Sequence, residues 1–310
     1  MTDTSEKIHQ CLIIGSGPAG LSAALYAARA DLSPVVLSGM DLGGQVSKTD
    51  AIENYPGFDS ILGPEMVTLF QEQAEKFGAA IVFDSATEVD FSKRPFKVTT
   101  YGGEYYAESL ILATGASIRE LGVPGEQDLT GRGVSYCATC DGHFFKEKDL
   151  IVVGGGDSAL KEGIFLTRFA KSVTIVHRRD ELRAGPYLEK KAKENPKISF
   201  MWDTIVTEII GDGTVNSVRL KNTKTGEEQV QDTDGVFIFI GHDPNTELFK
   251  DQLDTDESGY LVIDQRMHTS MPGVFAAGEV GDPHFQQVVI SAGMGAAAAM
   301  EVTEFLEEED

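Results

Sequence analysis

The stretch CLIIGSGPAGLSAALYAARA, residues 11–30, decides the fold of this chain. A short apolar run, Cys11–Ile14, leads into the glycine turn GSGPAG, and an alanine-rich segment continues to Ala30; the next apolar run is Pro34–Leu37. Glycines in such a turn let backbone N–H groups approach a pyrophosphate at a helix N-terminus. This order of strand, turn, helix and strand predicts a dinucleotide-binding domain. The predicted phosphate turn comprises Gly15, Gly17, Pro18, Ala19 and Gly20.

A second unit of the same kind begins at Leu150. The run Leu150–Val153 predicts a strand, GGGDSA (154–159) a phosphate turn, Leu160–Phe169 a helix, and Val173–Val176 the next strand. The chain is therefore expected to hold two nucleotide sites. The predicted residues of the second turn are Gly154, Gly156, Asp157, Ser158 and Ala159.

The residues after each second strand differ between the two units. Leu37 is followed by Ser38-Gly39-Met40, which lacks the usual acidic ribose ligand, so the first motif alone does not decide between FAD and NAD. In the second unit His177, Arg178 and Arg179 follow the strand, and Arg183 comes shortly after. Arginines accept a 2′-phosphate through charge-assisted hydrogen bonds, so this pattern favours NADPH over NADH. The alternative is a basic, solvated helix start.

Two further apolar runs, Leu110–Leu112 and Val274–Ala276, lead into glycine turns. Clusters of Gly, Pro and Asn near Ser117–Pro124 and His242–Thr246 indicate two crossovers between domains. The predicted fold is α/β, with two Rossmann-like dinucleotide-binding domains and the second inserted into the first. The predicted first domain spans residues 1–117 and 246–310, and the second spans residues 118–245. A helix over Gln287–Leu306, rich in small residues, is expected to pack closely on the first domain.

The sequence Cys137-Ala138-Thr139-Cys140 is a Cys-x-x-Cys motif. Half of a zinc site is the competing interpretation, but Cys11 is the remaining cysteine and no histidine pair has ligand spacing, so no metal site is expected. A redox-active dithiol is the favoured interpretation. Cys11 is expected to be an inert core residue.

Composition limits the partners of this chain. Its 310 residues carry 49 acidic and 26 basic side chains, a formal net charge of −23 that repels phosphates. Nucleic acid and anionic membrane surfaces are therefore not expected as partners. The polar N-terminus lacks a secretory signal, and no apolar run is expected to reach the length of about 20 residues that spans a bilayer. Three cysteines do not form a disulfide framework, so a cytoplasmic location is expected.

Taken in order and spacing, these elements resemble the low-molecular-weight thioredoxin reductases along nearly the whole chain. The motifs that carry the resemblance are GSGPAG (15–20), GGQ (43–45), ENYPG (53–57), ATG (113–115), CATCDG (137–142), GGGDSA (154–159), HRRDELR (177–183) and GHDPN (241–245). The most specific is CATCD just before the second nucleotide motif, which places the dithiol in the nicotinamide domain. The resemblance implies FAD in the first domain, NADPH in the second, a homodimer, and thioredoxin or a similar dithiol protein as acceptor.

The resemblance also implies residue roles. Cys140 would face the flavin, Cys137 would attack the disulfide of the acceptor, and Asp141 would act as acid and base. The other residues expected along FAD are Gly43, Gln45, Asn54, Thr114, Gly115, Gly278, Glu279, Gln286 and Gln287.

Two positions depart from the family pattern. Glu279 stands where the family usually has Asp, and Gln286 stands where it has Arg. Glu279 still offers a carboxylate to the flavin, one methylene further out. Loss of the arginine removes a positive charge, which is expected to weaken FAD binding or shift the flavin potential.

Because the nicotinamide and the dithiol lie on the same inserted domain and must both reach one flavin, we expect that domain to rotate between two states. The expected hinges are Ser117–Leu121 and His242–Thr246. Three alternatives remain: a reductase of another dithiol protein or a peroxiredoxin, a flavin reductase or oxidase with a regulatory dithiol, and a non-catalytic redox sensor.

Overall fold

The computed structural model of the protein describes residues 7–49 and 51–308. In chain order the strands are β1 (Ile8–Ile14), β2 (Val35–Leu37), β3 (Ala51–Ile52), β4 (Ile61–Leu62), β5 (Ala80–Val82), β6 (Ala86–Asp90), β7 (Phe96–Thr100), β8 (Glu104–Leu112), β9 (Ala116–Ile118), β10 (Val134–Ser135), β11 (Asp149–Val153), β12 (Ser172–Val176), β13 (Ile198–Met201), β14 (Thr204–Asp212), β15 (Thr214–Asn222), β16 (Glu228–Asp232), β17 (Gly235–Ile238), β18 (His242–Pro244) and β19 (Val274–Ala276). The helices are α1 (Pro18–Arg29), α2 (Gly63–Lys76), α3 (Ala138–Asp141), α4 (Asp157–Leu166), α5 (Pro186–Lys193) and α6 (Val288–Glu307), with 3-10 turns at Gly44–Lys48, Gly142–Phe145 and Glu247–Phe249.

The described residues form two compact units. One consists of the chain up to Ser117 and from Asp243 onward, and the other is Ile118–His242. The sequence predicts divisions after residues 117 and 245; the second observed division falls earlier, after His242. The reason is Asn245, which bonds within the first unit: its side-chain amide donates to the Thr114 carbonyl at 2.8 Å and its backbone N–H donates to the Gly115 carbonyl at 3.0 Å. The outermost ends of the predicted first domain, residues 1–6 and 309–310, lie outside the described residues.

The first unit is built on a sheet with the order β5-β2-β1-β8-β7-β6, and β19 also pairs with β8. Strands β5, β2, β1, β8 and β19 run parallel, whereas β7 and β6 are antiparallel. Along β1, Cys11 and Ile13 face one apolar cluster while Leu12 and Ile14 face another. Both faces of the sheet are covered, which explains why β1 ends in an uninterrupted apolar run.

Helix α6 packs on α1 through small side chains. Ala23, Ala24 and Ala27 of α1 are fully buried, and a Cβ placed on Gly295 of α6 would lie 2.0 Å from the Ala19 carbonyl oxygen. The two backbones therefore approach too closely for any side chain at Gly295. The predicted helix over Gln287–Leu306 and its close packing on the first domain are confirmed.

The expectation that no apolar run is long enough to span a bilayer is wrong for helix α6. Its 20 residues, with a mean hydropathy of 1.3 over 18 of them, are long and apolar enough to cross a membrane by length and composition alone. Its charged residues, Glu301, Glu304 and Glu307, are confined to its C-terminal turns. Its buried residues, which include Ala292, Gly295 and Ala298, pack within the first unit.

The second unit has a parallel sheet with the order β10-β17-β11-β12-β13. Leu150 and Val152 of β11 face the helices, whereas Ile151 and Val153 face the antiparallel sheet β14-β15-β16. The predicted α/β fold is thus confirmed in both units. Helix α4 begins three residues before the predicted Leu160, because Gly156 is already its N-cap, and it ends at Leu166 rather than Phe169.

Two glycines of α6 predict opposite responses to the same substitution. Gly295→Ala forces a methyl group into the backbone of α1 and is expected to destabilise the protein by about 1–3 kcal/mol or more. Gly293→Ala, whose Cβ would meet nothing within 4 Å in the single chain, is expected to leave the stability of the monomer unchanged or to raise it by up to about 1 kcal/mol through helix propensity. Thermal and urea unfolding of the two variants measure the difference, and equal midpoints would contradict the packing described.

Candidate active site

The first phosphate turn is a tight strand-to-helix connection in the first unit. Gly15 has φ +109°, and a Cβ there would lie 2.2 Å from the Ala113 carbonyl oxygen. Gly17 is the N-cap of α1 and has open space around it, and Pro18 occupies the first helical turn. No acidic side chain lies in that turn, so its N–H groups are left for an anionic ligand. The turn therefore fits a pyrophosphate, as predicted for FAD.

A serine that the sequence analysis did not single out organises this turn. Ser16 is buried, donates to the Ser38 carbonyl at 2.9 Å, and accepts from the Gly43 N–H at 3.1 Å. It thereby joins the phosphate turn, the end of β2 and the GGQ segment. Ser38 occupies the position of the usual acidic ribose ligand, and its backbone carbonyl belongs to this network. No local pattern marks Ser16, because its partners are 22 and 27 residues away.

Several other predicted FAD residues meet within the first unit. The Asn54 amide donates to the Gln287 side chain at 3.2 Å, and the Gln45 amide donates to the Ala116 carbonyl at 3.0 Å. The Thr114 hydroxyl donates to the Asn245 carbonyl at 2.8 Å, so this hydroxyl also holds the connecting segment.

Glu279, the carboxylate predicted to contact the flavin, is partly buried and lies near a second carboxylate, Asp282. Burial, and then the nearby charge of Asp282, raise the pKa of Glu279 to about 7, while a hydrogen bond from Gln286 opposes the shift. Asp282 itself accepts from the N–H groups of His284 and Phe285 at 2.9 and 3.1 Å. Gln286 thus stabilises the ionised Glu279 by hydrogen bonding, although it carries no charge.

The second phosphate turn repeats the geometry of the first. A Cβ on Gly154, at φ +148°, would lie 2.4 Å from the Phe239 carbonyl oxygen and 2.7 Å from the Ala159 methyl group. Gly156 is the N-cap of α4, and Ser158 of the first helical turn is exposed. Asp157 accepts from the Gly185 N–H at 2.7 Å, which fixes the loop that follows the arginines.

The arginines and the histidine of the HRR motif have different surroundings. Arg178, Arg179 and Arg183 are exposed, and none of them forms an ion pair with another of the residues that the structure describes. The backbone N–H of Arg183 donates to the Gly155 carbonyl at 2.8 Å, so the backbone of this arginine lies beside the turn. Exposed guanidinium groups suit a 2′-phosphate, and that of Arg183 lies close to the turn, with its Nη2 3.9 Å from a Cβ placed on Gly156.

His177 packs beneath the turn. It is 5% exposed, its Nε2 lies 3.0 Å from the Glu181 carbonyl oxygen, and a Cβ on Gly155 would collide with its ring. Burial and the neighbouring arginines lower its pKa. The structure therefore gives His177, predicted as an NADPH ligand, the surroundings of a residue that supports the turn.

Cys137 and Cys140 form a disulfide, with their Cα atoms 5.3 Å apart. Cys137 is the N-cap of α3, and the Cys140 N–H donates to Cys137 Sγ at 3.2 Å. Thr139 Oγ1 lies 3.4 Å from the same sulfur. These donors would stabilise a thiolate on Cys137 in the reduced form. A closed disulfide also favours the redox interpretation over half of a zinc site.

Asp141 directly follows the dithiol. Burial raises its pKa, and a hydrogen bond from Ser135 at 2.6 Å opposes the shift. The carboxylate does not cap the 3-10 turn that follows it. In contrast, burial raises the pKa of the Cys11 thiol to about 12, which agrees with an inert core residue.

Comparisons with known proteins agree with this geometry. A family model described as pyridine nucleotide-disulphide oxidoreductase matches residues 9–295. The chain is 49% identical to a thioredoxin reductase of Mycolicibacterium smegmatis over 310 residues, which covers 99% of each chain. It is also 49% identical to a bifunctional thioredoxin reductase/thioredoxin of Mycobacterium leprae, over 98% of this chain and 67% of that protein. A solved thioredoxin reductase from Streptococcus pyogenes, 46% identical, aligns with a TM-score of 0.94 over 98% of this chain and 100% of the other.

The raised pKa of Glu279 predicts a pH-dependent stability. Between its unfolded pKa near 4.5 and about 7, the folded protein holds a proton that the unfolded chain has released, so stability falls as the pH rises through this range. Glu279→Gln is expected to remove part of this fall, on the order of 1–2 kcal/mol. Urea unfolding of the cofactor-free protein from pH 5 to 8 measures it. The exposed control Glu72→Gln is expected to retain the wild-type slope, and an unchanged slope in Glu279→Gln would contradict the burial argument.

Proposed function

The chain belongs to the pyridine nucleotide-disulphide oxidoreductases and, among them, to the thioredoxin reductases, and from this membership we propose how its own residues divide the reaction. It is a thioredoxin-disulfide reductase, a flavoprotein enzyme. The observation that carries the proposal is the Cys137–Cys140 disulfide in a unit that also holds a nucleotide turn. We propose that the first unit binds FAD and the second binds NADPH.

The turn at Gly15–Gly20 would hold the FAD pyrophosphate, and the segments around Gln45, Asn54 and Glu279 would lie along the rest of the cofactor. Arg178, Arg179 and Arg183 would hold the 2′-phosphate of NADPH. When bound, FAD supplies a carrier that accepts a hydride from NADPH and passes the electron pair to the disulfide. The inserted unit would rotate between these two half-reactions, about the segments that join it to the first unit.

The chain's own residues then complete the exchange. Reduction leaves a thiolate on Cys137, a thiol on Cys140 and a proton taken from solvent on Asp141. Cys137 Sγ attacks the disulfide of the acceptor, and the departing acceptor sulfur takes the proton from Asp141. Asp141 then removes the proton of Cys140 as its sulfur attacks Cys137 Sγ. This restores the disulfide, and the second acceptor sulfur leaves with that proton. Two electrons and two protons thus reach the acceptor.

We propose thioredoxin, or a similar small dithiol protein, as the acceptor. A relative whose name joins thioredoxin reductase and thioredoxin in one chain supports this choice. The net charge of −23 supports neither nucleic acid nor an anionic membrane as partner. Dithiol chemistry of this kind operates in a reducing compartment, and we propose the cytoplasm.

A homodimer is proposed through the helical face of the first unit. An apolar groove of about 330 Å³ lies between α1, α2 and α6. Its lining includes Leu21, Leu25, Tyr26, Tyr55, Phe70 and Val289. Tyr26 and Val289 remain 43% and 39% exposed in the single chain, as expected for a surface that a second copy covers.

Removal of either active-site cysteine tests the function. Cys137→Ser and Cys140→Ser are each expected to lower NADPH-dependent thioredoxin reduction on the order of a thousand-fold or more, because neither the attack nor the resolution can be replaced. Flavin bleaching by NADPH is expected to persist. Cys11→Ala, which removes the cysteine outside the pair, is expected to keep its turnover. Full turnover in the active-site variants would indicate instead a flavin reductase or oxidase with a regulatory dithiol.

The arginines predict the choice of nucleotide. The double variant Arg178→Ala, Arg179→Ala is expected to weaken NADPH binding by about 10- to 100-fold, because two charge-assisted contacts to the 2′-phosphate are lost. NADH, which lacks that phosphate, is expected to bind as before. Anaerobic titration of the flavin with each nucleotide measures both, with the exposed Lys190→Ala as a control for a lost positive charge. An equal loss for both nucleotides would show that these arginines do not read the phosphate.

A further inference from the structure

Ser135 lies between the dithiol and the carboxylate proposed as its acid and base. It ends strand β10 and is 4% exposed. Its Oγ is 2.6 Å from Asp141 Oδ2, 3.1 Å from the Cys137 backbone nitrogen and 3.3 Å from the Cys137 carbonyl oxygen. One buried hydroxyl thus reaches the carboxylate and both peptide groups that flank the attacking cysteine.

A hydroxyl carries a single hydrogen, so these three contacts cannot all be made with Ser135 as donor. When Asp141 is ionised, Ser135 donates to the carboxylate and accepts from the Cys137 N–H. When Asp141 is protonated, the carboxyl group can donate to Ser135 Oγ, which frees the serine hydrogen for the Cys137 carbonyl. The protonation of Asp141 therefore selects between two hydrogen-bond arrangements of the Cys137 backbone.

We propose that Ser135 is a positioning residue of the dithiol, whose hydroxyl stabilises the ionised carboxylate of Asp141 and couples its protonation to the backbone of Cys137. The inference rests on the proposed acid–base role of Asp141 and adds to it the group that sets its working pH. Ser135 does not touch the reacting sulfur in this account; it acts through Asp141 and the peptide groups.

The other charged groups around Asp141 are few. His143, in the 3-10 turn packed against α3, lowers the pKa of Asp141 by its charge. Helix α4, which also packs against α3, carries Asp157, Lys161 and Glu162, and within the described part of the chain none of these shifts the pKa of Asp141. Burial therefore raises the pKa against the opposing effects of Ser135 and His143.

The Ser135→Ala variant removes the hydroxyl that donates to Asp141 and leaves the burial of Asp141 in place. Loss of this hydrogen bond disfavours the ionised carboxylate, so the titration of Asp141 is expected to move up by about one pH unit. Two readouts on the holoenzyme follow it: the pH profile of kcat/KM for thioredoxin disulfide, and the infrared carboxyl band of Asp141, assigned by its loss in Asp141→Asn. Both midpoints are expected to move together.

The chain offers a matched control. Ser172 also donates to an aspartate at 2.6 Å, Asp149, in the same unit but away from the dithiol. Ser172→Ala is expected to leave both midpoints unchanged, which excludes a general effect of losing a serine bond.

The possible results distinguish a failure of the coupling by Ser135 from a failure of the acid–base role of Asp141. If Asp141→Asn abolishes the pH limb while Ser135→Ala leaves its midpoint and the infrared band in place, the coupling by Ser135 is refuted and the acid–base role of Asp141 stands. If Asp141→Asn leaves the kinetic profile intact, the acid–base role itself fails, and the coupling inferred for Ser135 fails with it. A joint upward shift in Ser135→Ala alone supports the proposal.

Discussion

The architecture of this protein depends on one steric constraint that occurs twice. In each unit a parallel strand must turn into a helix while the carbonyl group that follows the neighbouring strand lies against the turn. At Gly15 the nearby oxygen belongs to Ala113, just after β8, and at Gly154 it belongs to Phe239, just after β17. No side chain fits at either position. The absence of a side chain brings each helix N-terminus to the carboxyl edge of its sheet, where phosphate groups can approach backbone N–H groups.

The same edge explains where the dithiol lies in the second unit. Strands β10, β17 and β11 run parallel and are neighbours in that order. The chain leaves β10 at Ser135 and reaches Cys137 two residues later, while β11 leads into the turn at Gly154. Two strand spacings, roughly 10 Å, therefore separate the strand ends that carry the dithiol and the nucleotide turn. Two residues beyond the end of one strand are therefore enough to bring the cysteine pair close to the proposed nucleotide site.

The sequence could predict the parts of this design that depend on local constraints. Glycine turns after apolar runs marked β1, β11 and the strand-to-helix turns that follow them, and the Cys-x-x-Cys spacing marked a disulfide that the structure contains. It could not predict residues whose roles come from distant partners. Ser16 forms hydrogen bonds with residues that follow the next strand, and Asn245 forms a hydrogen bond with Thr114, 131 residues earlier in the chain. His177 follows its strand in the way a ligand would, yet the side chain turns inward because Gly155 leaves room for its ring.

Two carboxylates near the dithiol differ in the number of hydrogen bonds that they accept. Glu126 is 1% exposed and accepts from the N–H groups of Leu121, Gly122 and Val123 and from the Tyr136 hydroxyl, so its oxygens are fully occupied. It fixes the residue before Cys137 to the start of the inserted unit. Among the described residues, the Asp141 carboxylate accepts from Ser135 alone. It keeps lone pairs available for a proton, while its single donor keeps the ionised form accessible. The four donors around Glu126 hold its segment in place, and the single donor to Asp141 is compatible with the proton transfer that we propose for this carboxylate.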